Sequence, residues 1–196
     1  MCITALTIED LDNIKTFKYK STDSSLFYNY LLSPCLNKVV NLLPMTLSPN
    51  ILTIAALCLN VLSFLITHFE LYNDFEEPLS RTTCFIQFAA HLLYIILDTL
   101  DGKQARRTGS SSAYGMLLDH GCDIFTNIIV CFNVSHLLQL GNEGPFSYMI
   151  YVSLLPAFFA LTYEEYILHE LHLGAFNGPD EGTPTLSIGA FVGGLF

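Results

Sequence analysis

The sequence predicts an all-α fold, a polytopic bundle of membrane helices with an N-terminal interfacial helix and a last span that stops short. Three observations carry that expectation. Of 196 residues, 52% are hydrophobic and 13% charged, against about a quarter charged in a soluble domain, and the mean hydropathy is +0.46. Long apolar runs approach the roughly 20 residues needed to cross a bilayer core. Seven of the eight positive charges fall on one side of the alternation those runs impose, and that side should be cytoplasmic.

Residues 1–20 are mixed in polarity and carry Lys15, Lys18 and Lys20; no cleavable signal peptide is expected there. Residues 25–43 hold too few apolar side chains to span. They read as an amphipathic helix, either lying in the interface or capping the spans. Pro44 and Pro49 break the chain, and Ser48 is placed to cap the next helix through its hydroxyl. The first span is expected at about 51–69, followed by an acidic loop over 70–78, and the second at about 83–100. A basic, serine-rich loop over 102–112 leads into a third span at about 113–140. A turn at 141–145 precedes a fourth span from 146 to about 172. After a loop at 177–184, a final apolar run (186–196) is too short to cross.

The formal charge is −10, which argues against a nucleic-acid partner. The six cysteines form no C-x-x-C pair and read as small buried hydrophobes, with no zinc site or disulfide framework expected.

The chemistry concentrates where the second and third spans meet the basic loop. Four aspartates stand in the pattern Asp98-x-x-Asp101-Gly102-x-x-Ala105-Arg106-x8-Gly115-x-x-x-Asp119-x-x-x-Asp123. Asp98 and Asp101 are i, i+3, and Asp119 and Asp123 are i, i+4, so on helices each pair shares a face. Two helix ends could then present four carboxylates to one point. Acids in a membrane span are rare without a use, and oxygen ligands of this kind suit Mg2+, with a diphosphate completing the coordination. Asp98 and Asp101 alone could cap a helix or glue two together; four acids with two glycines and Ala105-Arg106 between them are harder to explain so. Gly102 and Gly115 lack a Cβ and admit close approach, and Arg106 offers a planar fork to phosphate.

The stretch 98–123 resembles the signature of the CDP-alcohol phosphotransferases, with every fixed position present. The version Asp-Gly-Lys-Gln-Ala-Arg-Arg-Thr-Gly-Ser-Ser-Ser (101–112) followed by Asp-His-Gly-Cys-Asp (119–123) is similar to the eukaryotic choline/ethanolamine phosphotransferase branch, as are the segments 47–53 and 177–182. That resemblance implies residues 1–48 as a cytosolic or interfacial segment and 49–196 as the membrane domain, incomplete at its C-terminus. It implies transfer of phosphocholine or phosphoethanolamine from a CDP-alcohol to diacylglycerol, with release of CMP, in the endoplasmic reticulum or Golgi membrane. It further implies Mg2+ (or Mn2+) on Asp98, Asp101, Asp119 and Asp123, substrate contacts from Asn50, Gly102, Arg106 and Gly115, and a homodimer, common in that family.

His120 is the expected general base. An imidazole can take a proton from an alcohol near neutral pH, and this one lies between two metal-binding acids. Asp123 is the rival base. His68, His91, His136, His169 and His172 read as packing or interfacial residues. Glu164 and Glu165 lie in an apolar segment, either shaping a pocket or gluing helices. Asp180 and Glu181 read as loop polarity, and Phe158-Phe159 as lipid-facing or packed between spans. Two other functions stay open: transfer to inositol or another alcohol from a CDP-linked lipid, and a non-catalytic membrane protein that regulates a full-length enzyme.

Overall fold

The computed structural model describes residues 7, 12, 14, 16, 17, 19–72, 77–140 and 145–195. Cys2, Lys15, Lys18, the centre of the acidic loop (73–76) and the turn at 141–144 lie outside the described residues. From the N-terminus, strand β1 (Ser21–Asp23) leads into a continuous helical stretch. It comprises a π turn (Tyr28–Leu32), α1 (Ser33–Val39) and a 3-10 turn (Val40–Leu42). Four long helices follow: α2 (Pro49–Glu70), α3 (Arg81–Thr108), α4 (Ala113–Leu137) and α5 (Pro145–Leu168). Strand β2 (Leu171–Leu173), a π turn (Gly178–Gly182) and α6 (Thr183–Leu195) complete the described chain.

The fold is the expected all-α bundle. Among the described residues, α2, α3 and α4 are long and apolar enough to cross a membrane. The fourth expected span coincides with the 24-residue α5. Helix α3 is central, with α2 and α6 packed on it; α4 packs on α2, and α5 on α4. Leu62, Leu93, Phe125 and Val152 are exposed on the outer faces, as lipid-facing side chains should be.

Between the spans the contacts are polar and small. Gln87 donates from Nε2 to Thr67 Oγ1 at 2.9 Å, and Asn133 donates from Nδ2 to Ser63 Oγ at 3.3 Å. Hydrogen bonds of this kind register helices where lipid removes the hydrophobic incentive to associate. Close approach supplies the rest: a Cβ on Gly194 of α6 would stand 3.1 Å from the Phe85 ring of α3.

Several expected boundaries move. The second span does not end at Leu100, and Gly102 does not open a loop. Helix α3 continues through Thr108, because Lys103, Gln104, Ala105, Arg106 and Arg107 are good helix formers. Gly109 stops it with φ 65°, a left-handed conformation glycine adopts without steric cost. There Ser110 N–H donates to Ala105 O at 3.0 Å and Gly109 N–H to Arg106 O at 3.4 Å, the paired closure of a Schellman motif. The third span ends at Leu137, three residues early. The fourth ends at Leu168, where His169 turns left-handed (φ 56°) and residues 171–173 become a strand.

Ser48 does occupy the position before α2, but its hydroxyl makes no capping bond. Pro49 follows it at the first helical position, where a fixed φ already sets the turn. Ser80 and Ser112 cap the two helices that follow, α3 and α4, accepting from Thr83 N–H at 3.3 Å and Gly115 N–H at 3.1 Å. Cys84 and Cys131 are buried as expected, whereas Cys58 is exposed on the outer face of α2.

The helix over 25–43 packs on the end of the bundle. Leu32, Leu36 and Val40 are buried with Leu52 of α2 and with Ile95 and Leu100 of α3, each contributing about 1.5–3 kcal/mol relative to exposure in water. Polar side chains of α3 fix its position. Lys103 Nζ donates to Ser33 Oγ and Asn37 Oδ1 at 2.8 Å each. Gln104 Nε2 donates to Pro44 O and Leu47 O at 2.9 and 3.1 Å, and Arg107 Nη1 to Val40 O and Leu43 O at 2.7 and 2.8 Å.

Strands β1 and β2 pair in parallel, Ser21 with Leu171 through Asp23 with Leu173. This strap ties the N-terminal segment to the loop after α5. Glu181 holds the same junction: its carboxylate accepts from Ser25 Oγ at 2.7 Å, Phe27 N–H at 3.2 Å and Asn177 N–H at 3.1 Å. It is a clasp between two segments and not mere loop polarity, a role that appears only once the two segments are brought together.

Candidate active site

One helical face of α3 carries Asp98, Asp101, Gly102, Ala105 and Arg106, at i, i+3, i+4, i+7 and i+8. One face of α4 carries Gly115, Asp119 and Asp123. The start of α2 adds Asn50 and Thr53. These residues, with His120, line a single cavity of about 800 Å³. The strap covers part of it with Tyr19, Asp23 and Leu171.

Carboxylate oxygens of Asp98, Asp119 and Asp123 all lie within 4.8 Å of one another. Asp119 Oδ1 is buried and has no hydrogen-bond partner. Three converging hard oxygens, with an unsatisfied carboxylate oxygen on one of the same residues, are the donor set a divalent cation takes, so the residues present fit such an ion. Asp101 shares the cavity but stands outside this tight triad; its Oδ2 accepts from Thr53 Oγ1 at 2.5 Å. Asp123 Oδ1 accepts from Tyr94 Oη at 2.6 Å. Two of the four acids are thus aimed by hydroxyls from neighbouring helices.

The substrate-side residues are also brought together. A Cβ on Gly115 would stand 3.6 Å from Asn50 Oδ1 and 3.3 Å from Ser112 Oγ, so the bare glycine lets α2 and α4 meet at the cavity wall. The guanidinium of Arg106 folds over Gly102, where a Cβ would touch Nη1 at 3.5 Å.

His120 faces the same cavity. Its Nδ1 lies 3.7 Å from Glu165 Oε2 of α5. That separation is longer than a hydrogen bond, but a negative charge on that side favours a proton at Nδ1 over one at Nε2. The rings of Tyr19 and Phe158 stand at 6.4 and 6.5 Å from the imidazole, at steep angles of 75° and 84°. Phe158 is therefore a cavity residue and not a lipid-facing one, while Phe159 next to it is exposed. Glu164 is exposed and Glu165 turned inward.

The other histidines lie outside the cavity. His68 stacks on Phe64 at 5.8 Å, His136 meets Phe132 at 4.4 Å, and His91 Nδ1 is 2.7 Å from Gln87 O.

Sequence reasoning passed over Thr53, Tyr94 and Tyr19. The first two had a signal: Thr53 is i+3 from Asn50, and Tyr94 is i−4 from Asp98, each a polar group on the site-bearing face. Tyr19 had none, because a strand pairing distant in sequence delivers it.

A family model, the CDP-alcohol phosphatidyltransferases, matches residues 46–173. The chain belongs to this family. Among curated proteins it is 33% identical over 190 residues to cholinephosphotransferase 1 of Saccharomyces cerevisiae, covering 95% of this chain and 47% of that relative. It is 31% identical to the choline/ethanolaminephosphotransferase 1 of the same yeast, covering 95% and 47%. With choline/ethanolaminephosphotransferase 2 of Arabidopsis thaliana the identity is 33%, covering 91% and 45%. The chain thus spans about half the length of the curated relatives it matches. The family match takes in α2 to α5 and β2, hence all four aspartates.

Proposed function

We propose that the chain forms the reaction centre of an aminoalcohol phosphotransferase: it moves phosphocholine or phosphoethanolamine from a CDP-alcohol to diacylglycerol and releases CMP. The observation that carries the reading is the convergence of Asp98, Asp119 and Asp123, with one buried oxygen unsatisfied, in a cavity that also holds Asn50, Arg106 and His120. The similarity to choline- and choline/ethanolaminephosphotransferases supports the choice of head group.

In this reading, Asp98, Asp119 and Asp123 hold a divalent cation, Mg2+ with Mn2+ as a substitute, and Asp101 serves a neighbouring position. When bound, the ion neutralises a diphosphate and polarises its phosphorus. Arg106 donates its fork to phosphate oxygens, and Asn50 orients the nucleotide. Gly102 and Gly115 keep the walls thin beside it.

Oriented by Glu165, His120 accepts the proton of the diacylglycerol 3-hydroxyl as the oxygen attacks the phosphorus bearing the alcohol. A new P–O bond forms, the P–O bond to CMP breaks, and CMP leaves with the bridging oxygen. The atoms balance as CDP-alcohol and diacylglycerol giving phospholipid and CMP. A cavity opening toward the positively charged, cytosolic side would admit the nucleotide, and the membrane would supply the lipid. The endoplasmic reticulum or Golgi is the proposed site.

The test is direct. The 196-residue chain is placed in membranes without endogenous activity, with diacylglycerol and radiolabelled CDP-choline or CDP-ethanolamine. Labelled phospholipid that disappears with EDTA supports the reading. Labelled product only from CDP-diacylglycerol and inositol, in a parallel assay, would replace it.

A further inference from the structure

We propose that Tyr19 is a specificity-determining residue, forming with Phe158 an aromatic wall beside His120 that receives the organic cation of the alcohol head group. The inference rests on the transferase reading and deepens it.

Tyr19 lies outside the signature and outside every span. The strap sets its position: Leu171 N–H donates to Lys20 O at 3.0 Å, and Ser24 N–H to Leu173 O at 2.9 Å. The pairing brings Tyr19 over the reaction centre from one side, while α5 brings Phe158 and Glu165 from another. Both rings stand within 6.5 Å of the imidazole, and both line the cavity.

Glu165, which is not among the ion's ligands, places a carboxylate 3.7 Å from the same imidazole. Burial first, and then Glu165, hold the Tyr19 hydroxyl far above its usual range, so the phenol stays neutral and its ring stands beside a negative charge that the ion does not take.

A quaternary ammonium has no N–H to donate. Aromatic faces in a negative, partly desolvated pocket are what recognise it. The head group is bonded to the phosphorus under attack, so its cation lies only a few bonds from that phosphorus and near the group that takes the proton there. That puts it where Tyr19 and Phe158 flank His120. The other tyrosine lining the cavity, Tyr28, is taken: Lys103 Nζ sits 5.4 Å from its ring centroid.

The test compares CDP-choline with its neutral isostere, CDP-3,3-dimethylbutanol, in which carbon replaces the nitrogen. Competition binding and turnover are measured on the chain in membranes, for wild type, Tyr19→Phe and Tyr19→Leu. Wild type is expected to prefer the cation. Tyr19→Leu is expected to weaken CDP-choline binding about 3- to 30-fold, with the isostere changed less than about twofold. Tyr19→Phe, which keeps the ring, should stay within about twofold of wild type.

Equal losses for both ligands would make Tyr19 a mere strap residue and overturn the proposal. So would a wild type without preference for the cation, or an unaffected Tyr19→Leu. Wild-type preference for the cation without phospholipid product would sink the transferase reading and leave the cation site standing. Product formation with unchanged discrimination in Tyr19→Leu would do the reverse.

Discussion

Asp119 presents the sharpest local demand in the molecule, a buried carboxylate oxygen without a partner beside two further acids. Replacing Asp119 with Ala is expected to abolish product formation in the phospholipid assay, a loss of at least about 100-fold. The hydroxyls behind the acids should matter less. Tyr94→Phe removes the donor that aims Asp123 and is expected to raise the Mg2+ concentration for half-maximal rate by about 10-fold or more, read by metal titration. His120→Ala should lower kcat by about 10²–10⁴ with KM little changed; an unaffected kcat would pass the base role to Asp123. At this scale much was legible. The acids share helix faces by their i, i+3 and i, i+4 spacing, and His120 lies between two of them; Asn50, on another helix, is legible only through the resemblance to the family. The unequal placement of Asp101 was not legible, since the Thr53 hydroxyl that holds it belongs to another helix.

Helix α3 uses two faces for two tasks. One bears Asp98, Asp101 and Arg106; the other bears Lys103, Gln104 and Arg107, which hold the segment 33–47. Gln104 is fully buried, so Gln104→Ala leaves the Pro44 and Leu47 carbonyls without its bonds. It is expected to cost about 1–3 kcal/mol, seen as a lower thermal midpoint in detergent with KM for the nucleotide unchanged. Reading the basic run as a loop hid this face; helix propensity over 103–107 was the available signal, and Gly109, not Gly102, was the terminator. The clasp at Glu181 gives a pH prediction. Burial opposes its ionisation, but hydrogen bonds from Ser25, Asn177 and Phe27 outweigh it and hold the carboxyl below its usual range. A lowered folded value means that the clasp is at full strength above about pH 4 and weakens as pH falls through it. The protection of the Phe27 and Asn177 amides, taken relative to their intrinsic exchange rate at each pH, should therefore fall in acid, and Glu181→Gln should show the lower protection already at neutral pH and lose that dependence.

For the molecule as a whole, the long helices follow from the apolar run lengths. The antiparallel register of α2 and α3, seen in Thr67 with Gln87 and Thr53 with Asp101, is what those runs imply. Ser111→Cys, in the loop after α3, and Glu77→Cys, in the loop before it, are expected to react with a membrane-impermeant thiol reagent from opposite sides. Cys58, on the outer apolar face, should be shielded by lipid. The strap was not legible from sequence, because a three-residue strand has no periodicity to read and its partner is far away.

That distance has a consequence for biosynthesis. Thr22 and Glu170, bonded across the strap, are 148 positions apart, so their encounter must wait until α5 has left the ribosome. Contacts of such long range form late. The aspartate triad can assemble from α3 and α4 earlier, as hairpins insert in order. A nascent chain would thus own its aspartate triad before it owns a roof, and, on the proposed reading, selectivity for the head group would be the last property to mature.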